Sequence, residues 1–152
     1  MIRYADAGDF MALVLLERDC FPAAERWNGS SWGEEVARAG HLAFVHCGAD
    51  GAVDAAAAFS VSDDFADVLR VVVAPAARRQ GIGAQLLGLG LAWAKREGAD
   101  RAMLEVRADN QPAVALYRKF GFEDLSLRRD YYGPGADALV LIRSLREGDG
   151  DE

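Results

Sequence analysis

Residues 78–84 read Arg78-Arg79-Gln80-Gly81-Ile82-Gly83-Ala84, a basic turn that leaves a strand-like run and opens a helix-like one. Its glycines let the backbone approach a ligand closely, and the amides at a helix start, the helix dipole and the arginines all favour an anion. The turn therefore predicts a phosphate-binding loop, with an ordinary helix-opening turn as the alternative. A dinucleotide-binding motif fits less well because Leu86 replaces its third glycine, and no Gly-Lys-Ser/Thr of a P-loop follows.

Upstream of this turn, the spacing of apolar residues changes from helical to strand-like. A short strand at 2–4 precedes an amphipathic helix that ends before Phe21-Pro22. Ser31 and Glu34 have the spacing of a capping box and predict the start of a second helix. Three strand-like runs at 41–47, 52–60 and 65–73 then predict an antiparallel meander.

Downstream, a helical period runs from Ile82 to Trp93, and Gly98 marks its end. A strand at 101–106, a helix capped by Asn110, and strands around 125–132 and 138–145 follow. This order of elements predicts a mixed α/β domain with a central sheet. The polar, glycine-rich residues 147–152 predict a disordered acidic tail.

Composition narrows the range of partners. The 152 residues carry 17 basic and 24 acidic side chains, and the net charge of −7 disfavours nucleic acid and favours a basic peptide or protein. No signal peptide is recognisable and no apolar run approaches the ~20 residues of a membrane span, so we expect a cytoplasmic protein without membrane contact. The two cysteines and two histidines lack zinc-like spacing, so no metal is expected. Monomer and homodimer both stay open.

A second informative segment places a carboxylate and a phenol in consecutive elements. Glu105 lies late in a predicted strand, and Tyr117 follows 12 residues later in the next helix. A carboxylate can take a proton from an incoming amine and a phenol can protonate a leaving thiolate, which is the pairing that amide formation from a thioester requires. The alternative is that Glu105 pairs with a neighbouring arginine while Tyr117 packs in the core.

Together the two segments resemble the GCN5-related N-acetyltransferase (GNAT) superfamily. Its acetyl-CoA loop has the form Arg/Gln-x-x-Gly-x-Gly/Ala, which Arg78, Gly81 and Gly83 match, and the element order matches over nearly the whole chain. The stretch 104–122 and the later residues 128–132 are similar to the RimI branch, which acetylates the amino-terminal alanine of a small-subunit ribosomal protein. The glutamate, phenylalanine and tryptophan of that branch are matched by Glu17, Phe21 and Trp27.

The resemblance implies a single GNAT-like α/β domain over residues 1–146. Its mixed, mostly antiparallel sheet would have about seven strands flanked by about four helices, with the fourth and fifth strands splayed apart. The implied co-substrate is acetyl-CoA, without a metal. The residues implied to bind acetyl-CoA are Val71, Val72, Val73, Arg78, Arg79, Gln80, Gly81, Ile82, Gly83, Ala84, Asn110 and Tyr117.

For the reaction, the resemblance implies Glu105 as general base and Tyr117 as general acid, and it places Trp27, Tyr131 and Tyr132 at the acceptor peptide. The expected reaction is direct transfer of acetyl to a protein N-terminus, because neither cysteine has the setting of a nucleophile. The acceptor would be an amino-terminal alanine, with a ribosomal protein as the expected partner. Lysine side chains, polyamines or another small amine are the alternative acceptors. A non-catalytic acyl-CoA sensor is the alternative from another class.

Overall fold

Seven strands form one sheet in the order β1-β2-β3-β4-β5-β7-β6, and four α-helices accompany them in this computed structural model, which describes residues 1–146. The predicted α/β class, strand number and helix number are confirmed. The elements are β1 (Ile2–Tyr4), α1 (Phe10–Cys20), α2 (Gly29–Ala37), β2 (His41–Cys47), β3 (Val53–Ser62), β4 (Phe65–Val73), α3 (Ile82–Arg96), β5 (Arg101–Arg107), α4 (Gln111–Lys119), β6 (Glu123–Arg128) and β7 (Ala138–Ser144). The predicted tail at 147–152 lies outside the described residues.

The sheet is mixed in the way the sequence predicts. The pairs β1–β2, β2–β3, β5–β7 and β6–β7 are antiparallel, whereas β4 and β5 are parallel because helix α3 connects them. The parallel register runs from Phe65 opposite Arg101 to Asp67 opposite Met103, which is only the start of each strand. This short register agrees with the predicted splay of the two strands.

The chain divides into two compact units, the first formed by residues 1–60 and 69–92. Its core packs α1 and α2 on the sheet through Leu13, Leu16, Trp32 and Val45. Residues 55–58 of β3 are four buried alanines, and small side chains allow close approach. Helix α3 comes so near β3 that a Cβ at Gly90 would lie 2.0 Å from the ring of Phe59.

The second unit contains residues 61–68 and the chain from residue 93 onward. Strand β5 pairs along its whole length with β7, and alternate residues of β5 are buried, including Leu104 and Val106. This period of two follows from the pleat of a strand. The outer strand β6 is exposed at all six positions, as the outermost strand of the order.

Two boundaries differ from prediction. Helix α2 is capped by Asn28, whose side chain accepts from the Ser31 amide at 2.9 Å, so the predicted Ser31 cap is wrong and Ser31 lies inside the helix. Strand β6 ends at Arg128 rather than at residue 132, because Asp130 adopts a φ of 54° and its carboxylate accepts from the Gly135 amide at 2.7 Å. The predicted Asn110 cap of α4 is confirmed.

Candidate active site

The predicted phosphate loop takes a conformation that leaves amides available at the start of α3. Arg79 and Gly81 have φ values of 67° and 76°, which is the left-handed region that favours glycine. The amide of Gln85 donates to the carbonyl of Gly81 at 3.0 Å. The amides of residues 82–84 precede that bond and belong to the helix positions that lack an intrahelical partner, so they suit an anion such as a diphosphate.

The Arg78 guanidinium makes a hydrogen bond to the protein backbone. Its Nε donates to the carbonyl of Val73 at 3.0 Å, so the side chain is bound back to the end of β4. The Cys20 thiol lies 3.5 Å from the same carbonyl. Burial raises the pKa of the Cys20 thiol, although nearby Arg78 opposes this. Burial thus favours the protonated form of the Cys20 thiol, which is a poorer nucleophile than the thiolate.

Trp27, predicted to contact the acceptor, is held by neighbours in the first unit. Its amide donates to the Glu17 carboxylate at 2.9 Å, and its indole packs edge-on against Trp32 at 4.9 Å between ring centroids. Glu17 in turn binds Arg70 of β4. This pairing was not predicted, although the sequence places an acid in an amphipathic helix and an arginine inside a strand.

Glu105, the predicted base, gathers polar neighbours in the second unit. Its carboxylate lies 3.3 Å from Arg128 Nη1, and its side chain is 32% exposed. The neighbouring Glu105 carboxylate raises the pKa of the Tyr131 hydroxyl. Tyr131 packs edge-on against Tyr132 at 5.0 Å between ring centroids. The fold therefore brings Glu105 together with both tyrosines predicted for the acceptor groove.

Asp67 is a second carboxylate near Glu105, and it is not among the predicted site residues. It stands opposite Met103 in the parallel register, and Glu105 follows Met103 by two positions on the same face of β5. Burial raises the pKa of Asp67, and the negative charge of Glu105 raises it further. Only the sheet register brings these two acids near each other, since 38 residues separate them along the chain.

Tyr117 and Asn110 lie on α4 in the same unit. The Tyr117 side chain is buried and its ring packs edge-on against Phe122 at 5.9 Å between centroids. The Asn110 side chain accepts from the amide of Ala113 at 3.3 Å as the helix cap. The contacts of Glu105 with an arginine and of Tyr117 in the core match the alternative raised by the sequence, so the catalytic roles of both residues stay predictions.

The predicted site residues divide between the two units. The first unit holds Trp27, Val71, Val72, Val73 and the loop 78–84, and the second holds Glu105, Asn110, Tyr117, Tyr131 and Tyr132. Within residues 1–146, no group of three or more histidine, cysteine or acidic residues is placed to hold a metal ion. Both cysteines are free. Among the helices that the structure describes, none is long and apolar enough to span a membrane.

The sheet order, with its parallel β4–β5 pair, is that of an acyltransferase-type α/β fold. The model of the acetyltransferase (GNAT) family matches residues 10–122. This match covers most of the chain, and the chain therefore belongs to the acetyltransferase (GNAT) family.

Individual proteins extend this result. The chain is 29% identical over 122 residues to a putative ribosomal protein bS18-alanine N-acetyltransferase of Bacillus subtilis (strain 168), which covers 80% of this chain and 81% of that protein. The crystal structure of the ribosomal-protein-S18-alanine N-acetyltransferase from Escherichia coli matches with a TM-score of 0.84 and 26% identity, over 100% of this chain and 97% of that chain.

Other relatives are longer than the matched region. An uncharacterized protein, ML0378, of Mycobacterium leprae (strain TN) is 46% identical over 78 residues, which is 51% of this chain but 21% of that protein. The chain thus spans between a fifth and about half of the length of several curated relatives that it matches.

Proposed function

We propose that this protein transfers acetyl from acetyl-CoA to the amino-terminal α-amino group of a protein, and that the acceptor is an alanine of a small-subunit ribosomal protein. The observation that carries the proposal is the turn at Arg79 and Gly81, which leaves the first amides of α3 available at the end of β4. The named relatives from B. subtilis and E. coli support the choice of acceptor. The reaction would take place in the cytoplasm, where ribosomal proteins are made.

The loop fits the diphosphate of acetyl-CoA. A Cβ built on Gly81 would meet nothing within 4 Å, so the space beside its backbone is open, and its φ of 76° suits glycine. The amides of residues 82–84, the helix dipole and the guanidinium of Arg79 supply the positive potential that a diphosphate requires. Val71, Val72 and Val73 would line the acyl arm, and Asn110 would contact its pantetheine portion.

Bound acetyl-CoA supplies an acetyl thioester as the acyl donor. Glu105, directly or through a water molecule, takes a proton from the acceptor amine while the amine nitrogen bonds to the acetyl carbon. The carbon–sulfur bond breaks, and the Tyr117 hydroxyl donates its proton to the departing sulfur. A backbone amide at Val72 or Val73 would stabilise the charge that develops on the acetyl oxygen.

A terminal amine is the acceptor that these residues could deprotonate most easily. The reference pKa of an α-amino group is about 7.7–8.0, against about 10.4 for lysine, so the free base is far more abundant at neutral pH. One carboxylate, already engaged with Arg128 and Tyr131, is then a sufficient base. Trp27, Tyr131 and Tyr132 would contact the residues that follow the acceptor amine.

A second acceptor class is favoured by Asp67. Two carboxylates, Asp67 and Glu105, near one another on adjacent strands attract a dication more strongly than a monocation. A polyamine, which carries two or more positive charges, is therefore the second candidate acceptor, with the same loop and the same donor.

The test compares acceptors directly. The purified protein is incubated with acetyl-CoA and either a basic peptide that begins with a free alanine, an amino-blocked peptide of the same composition with one internal lysine, or spermidine, and mass spectrometry locates the acetyl group. Calorimetry with acetyl-CoA alone runs in parallel. Acetyl on the terminal alanine supports the proposal.

The other outcomes contradict it in different ways. Acetyl only on spermidine would move the acceptor to the second candidate, and acetyl only on lysine would move it to a protein side chain. Tight binding of acetyl-CoA without transfer to any of the three acceptors would favour a sensor, and the absence of binding would remove the loop assignment.

A further inference from the structure

Glu17 carries a fully buried carboxylate that the proposed reaction does not use. It lies on α1 with its side chain 1% exposed, and it meets Arg70 of β4, whose side chain is 14% exposed. Arg70 Nε donates to Glu17 Oε2 at 3.1 Å, and Nη2 donates to Oε1. Burying two charges is costly, and loss of either partner leaves an uncompensated buried charge, so the pair must act as a unit.

The same guanidinium contacts the segment that joins α1 to α2, here called the α1–α2 segment (residues 21–28). Arg70 Nη2 donates to the carbonyl of Glu25 at 2.6 Å. The guanidinium carbon lies 3.8 Å from the ring centroid of Phe21 and 5.1 Å from that of Trp27. Glu17 adds a contact of its own by accepting from the Trp27 amide at 2.9 Å. One buried ion pair therefore touches the segment along most of its length.

Local hydrogen bonds also shape this segment. Its 3₁₀ turn at Ala23–Glu25 is held by local bonds, from the Glu25 amide to the Pro22 carbonyl at 2.9 Å and from Arg26 Nε to the Phe21 carbonyl at 2.7 Å. Such bonds shape a turn without joining it to another element. The contacts of Arg70 join it to β4, and 45 residues separate Arg70 from Glu25 along the chain.

We propose that Arg70 is a positioning residue that holds the α1–α2 segment on β4 and so sets the place of Trp27 for the acceptor. The proposal rests on the proposed function, in which Trp27 contacts the acceptor peptide. Arg70 directly precedes Val71 in β4. One strand therefore carries both the arginine that contacts the α1–α2 segment and the residues assigned to the acyl arm.

The geometry also limits how the acceptor is recognised. The guanidinium covers the face of Phe21, and the carboxylate of Glu17 is occupied by Arg70 and by the Trp27 amide. Neither group is then available to bind the ammonium of an acceptor. Recognition of the acceptor cation falls to other carboxylates, and the α1–α2 segment contributes shape and apolar contact.

The experiment uses Arg70→Lys and the double variant Glu17→Gln/Arg70→Gln, with Arg18→Lys as the matched control. Lysine keeps the charge beside Glu17 but loses the planar fork and the stacking, whereas the double variant removes both buried charges together. Arg18 lies on α1 beside Glu17 and forms an exposed ion pair with Asp19. All chains are first compared by thermal unfolding.

Two readouts follow. In the alanine-peptide assay we expect the KM of the peptide to rise about tenfold or more in both variants, while kcat and the KM of acetyl-CoA change by less than about twofold. In hydrogen exchange measured by mass spectrometry, residues 21–28 should exchange faster, and α2 (Gly29–Ala37) should be unchanged. Arg18→Lys should match wild type in both.

Three results would overturn the positioning role: an equal rise in the KM of both substrates, unchanged exchange of residues 21–28, or failure of both variants to fold. Each would mean that the ion pair supports either the whole fold or no part of this segment. The exchange measurement needs no activity. A wild-type protein that leaves the alanine peptide unmodified would therefore refute the proposed function, while the exchange result would still decide whether Arg70 holds the segment.

Discussion

Arg128 Nη1 lies 3.3 Å from Oε2 of Glu105, so the carboxylate proposed as the general base already faces a cation before an acceptor arrives. A similar exposed pair, Arg118 with Asp124 at 2.9 Å, occurs in the same unit. These two acids provide a matched comparison, because both face arginine and only Glu105 also raises the pKa of a neighbouring tyrosine, Tyr131.

Glu105→Gln should lower kcat/KM for the alanine peptide by about 10²–10⁴, the usual contribution of a general base. The loss should be greatest below about pH 7.7, where the α-amino group is mostly protonated and base assistance matters most. Initial rates across pH 6–9 test this. Asp124→Asn should keep wild-type rates, and a Glu105→Gln enzyme that equals it at every pH would remove Glu105 from the mechanism.

Tyr117→Phe removes only the hydroxyl and keeps the ring that packs on Phe122. If this hydroxyl protonates the departing sulfur, kcat should fall by about 10²–10⁴ while the affinity for acetyl-CoA changes little. Initial-rate assays give kcat, and calorimetry gives the affinity for acetyl-CoA. Tyr4→Phe, an exposed tyrosine stacked on Phe44, is the control. A wild-type kcat in Tyr117→Phe would leave only the packing role.

Gly81→Ala tests the phosphate loop. A Cβ at Gly81 meets no atom within 4 Å, so the change acts through the φ of 76° rather than through a clash. We expect the affinity for acetyl-CoA to fall about tenfold or more, because a hydrogen bond to a charged group contributes about 1.5–3 kcal/mol. Gly98 also has a positive φ, of 96°, and open space beside it, and the Gly98→Ala variant should bind acetyl-CoA normally. Equal binding by both variants would contradict the loop assignment.

Asp9 gives a prediction about stability and pH. Two bonds of 2.8 Å from Arg3 hold the pKa of Asp9 below its ordinary value of 3.8. A lowered pKa in the folded state stabilises the fold above pH 3.8, and this stabilisation is lost as the pH falls through the folded pKa.

Asp9→Asn should therefore lower the urea midpoint at pH 7 more than Asp19→Asn, which removes only one exposed acid. The difference between Asp9→Asn and wild type should shrink as the pH falls below 3.8. A difference that is constant from pH 7 to pH 2.5 would show that the charge of Asp9 is not its source.

Alanine substitution at two helix glycines should change the free energy of unfolding in opposite directions. A Cβ at Gly90 would lie 2.0 Å from the ring of buried Phe59, and we expect Gly90→Ala to reduce the free energy of unfolding by about 1–3 kcal/mol. At Gly33 the nearest atom, on Phe10, is 3.6 Å away, so Gly33→Ala should stabilise α2 by about 0.5–1 kcal/mol. Urea unfolding of both variants measures the two changes, and a shared sign would contradict the packing described for α3.

The sequence by itself predicted features that depend on residues a few positions apart. The apolar periods placed the helices and strands, and Asn110 was correctly chosen as a cap. Each depends on local backbone geometry, which neighbouring residues decide. The two wrong boundaries arose where neighbouring residues offered similar signals. Asn28 rather than Ser31 caps α2, and the turn hydrogen bonds of Asp130 end β6 early.

Only the tertiary structure decided which distant side chains meet. Arg70 lies 53 residues from Glu17 along the chain, and Arg128 lies 23 residues from Glu105. Asp67 comes near Glu105 because β4 and β5 pair in parallel with Asp67 opposite Met103. Such pairings depend on strand register and on how a helix packs on a sheet, and a shift of one residue would turn each side chain to the opposite face. Residue types and spacing therefore indicated the chemistry, and packing decided the partners of each charge.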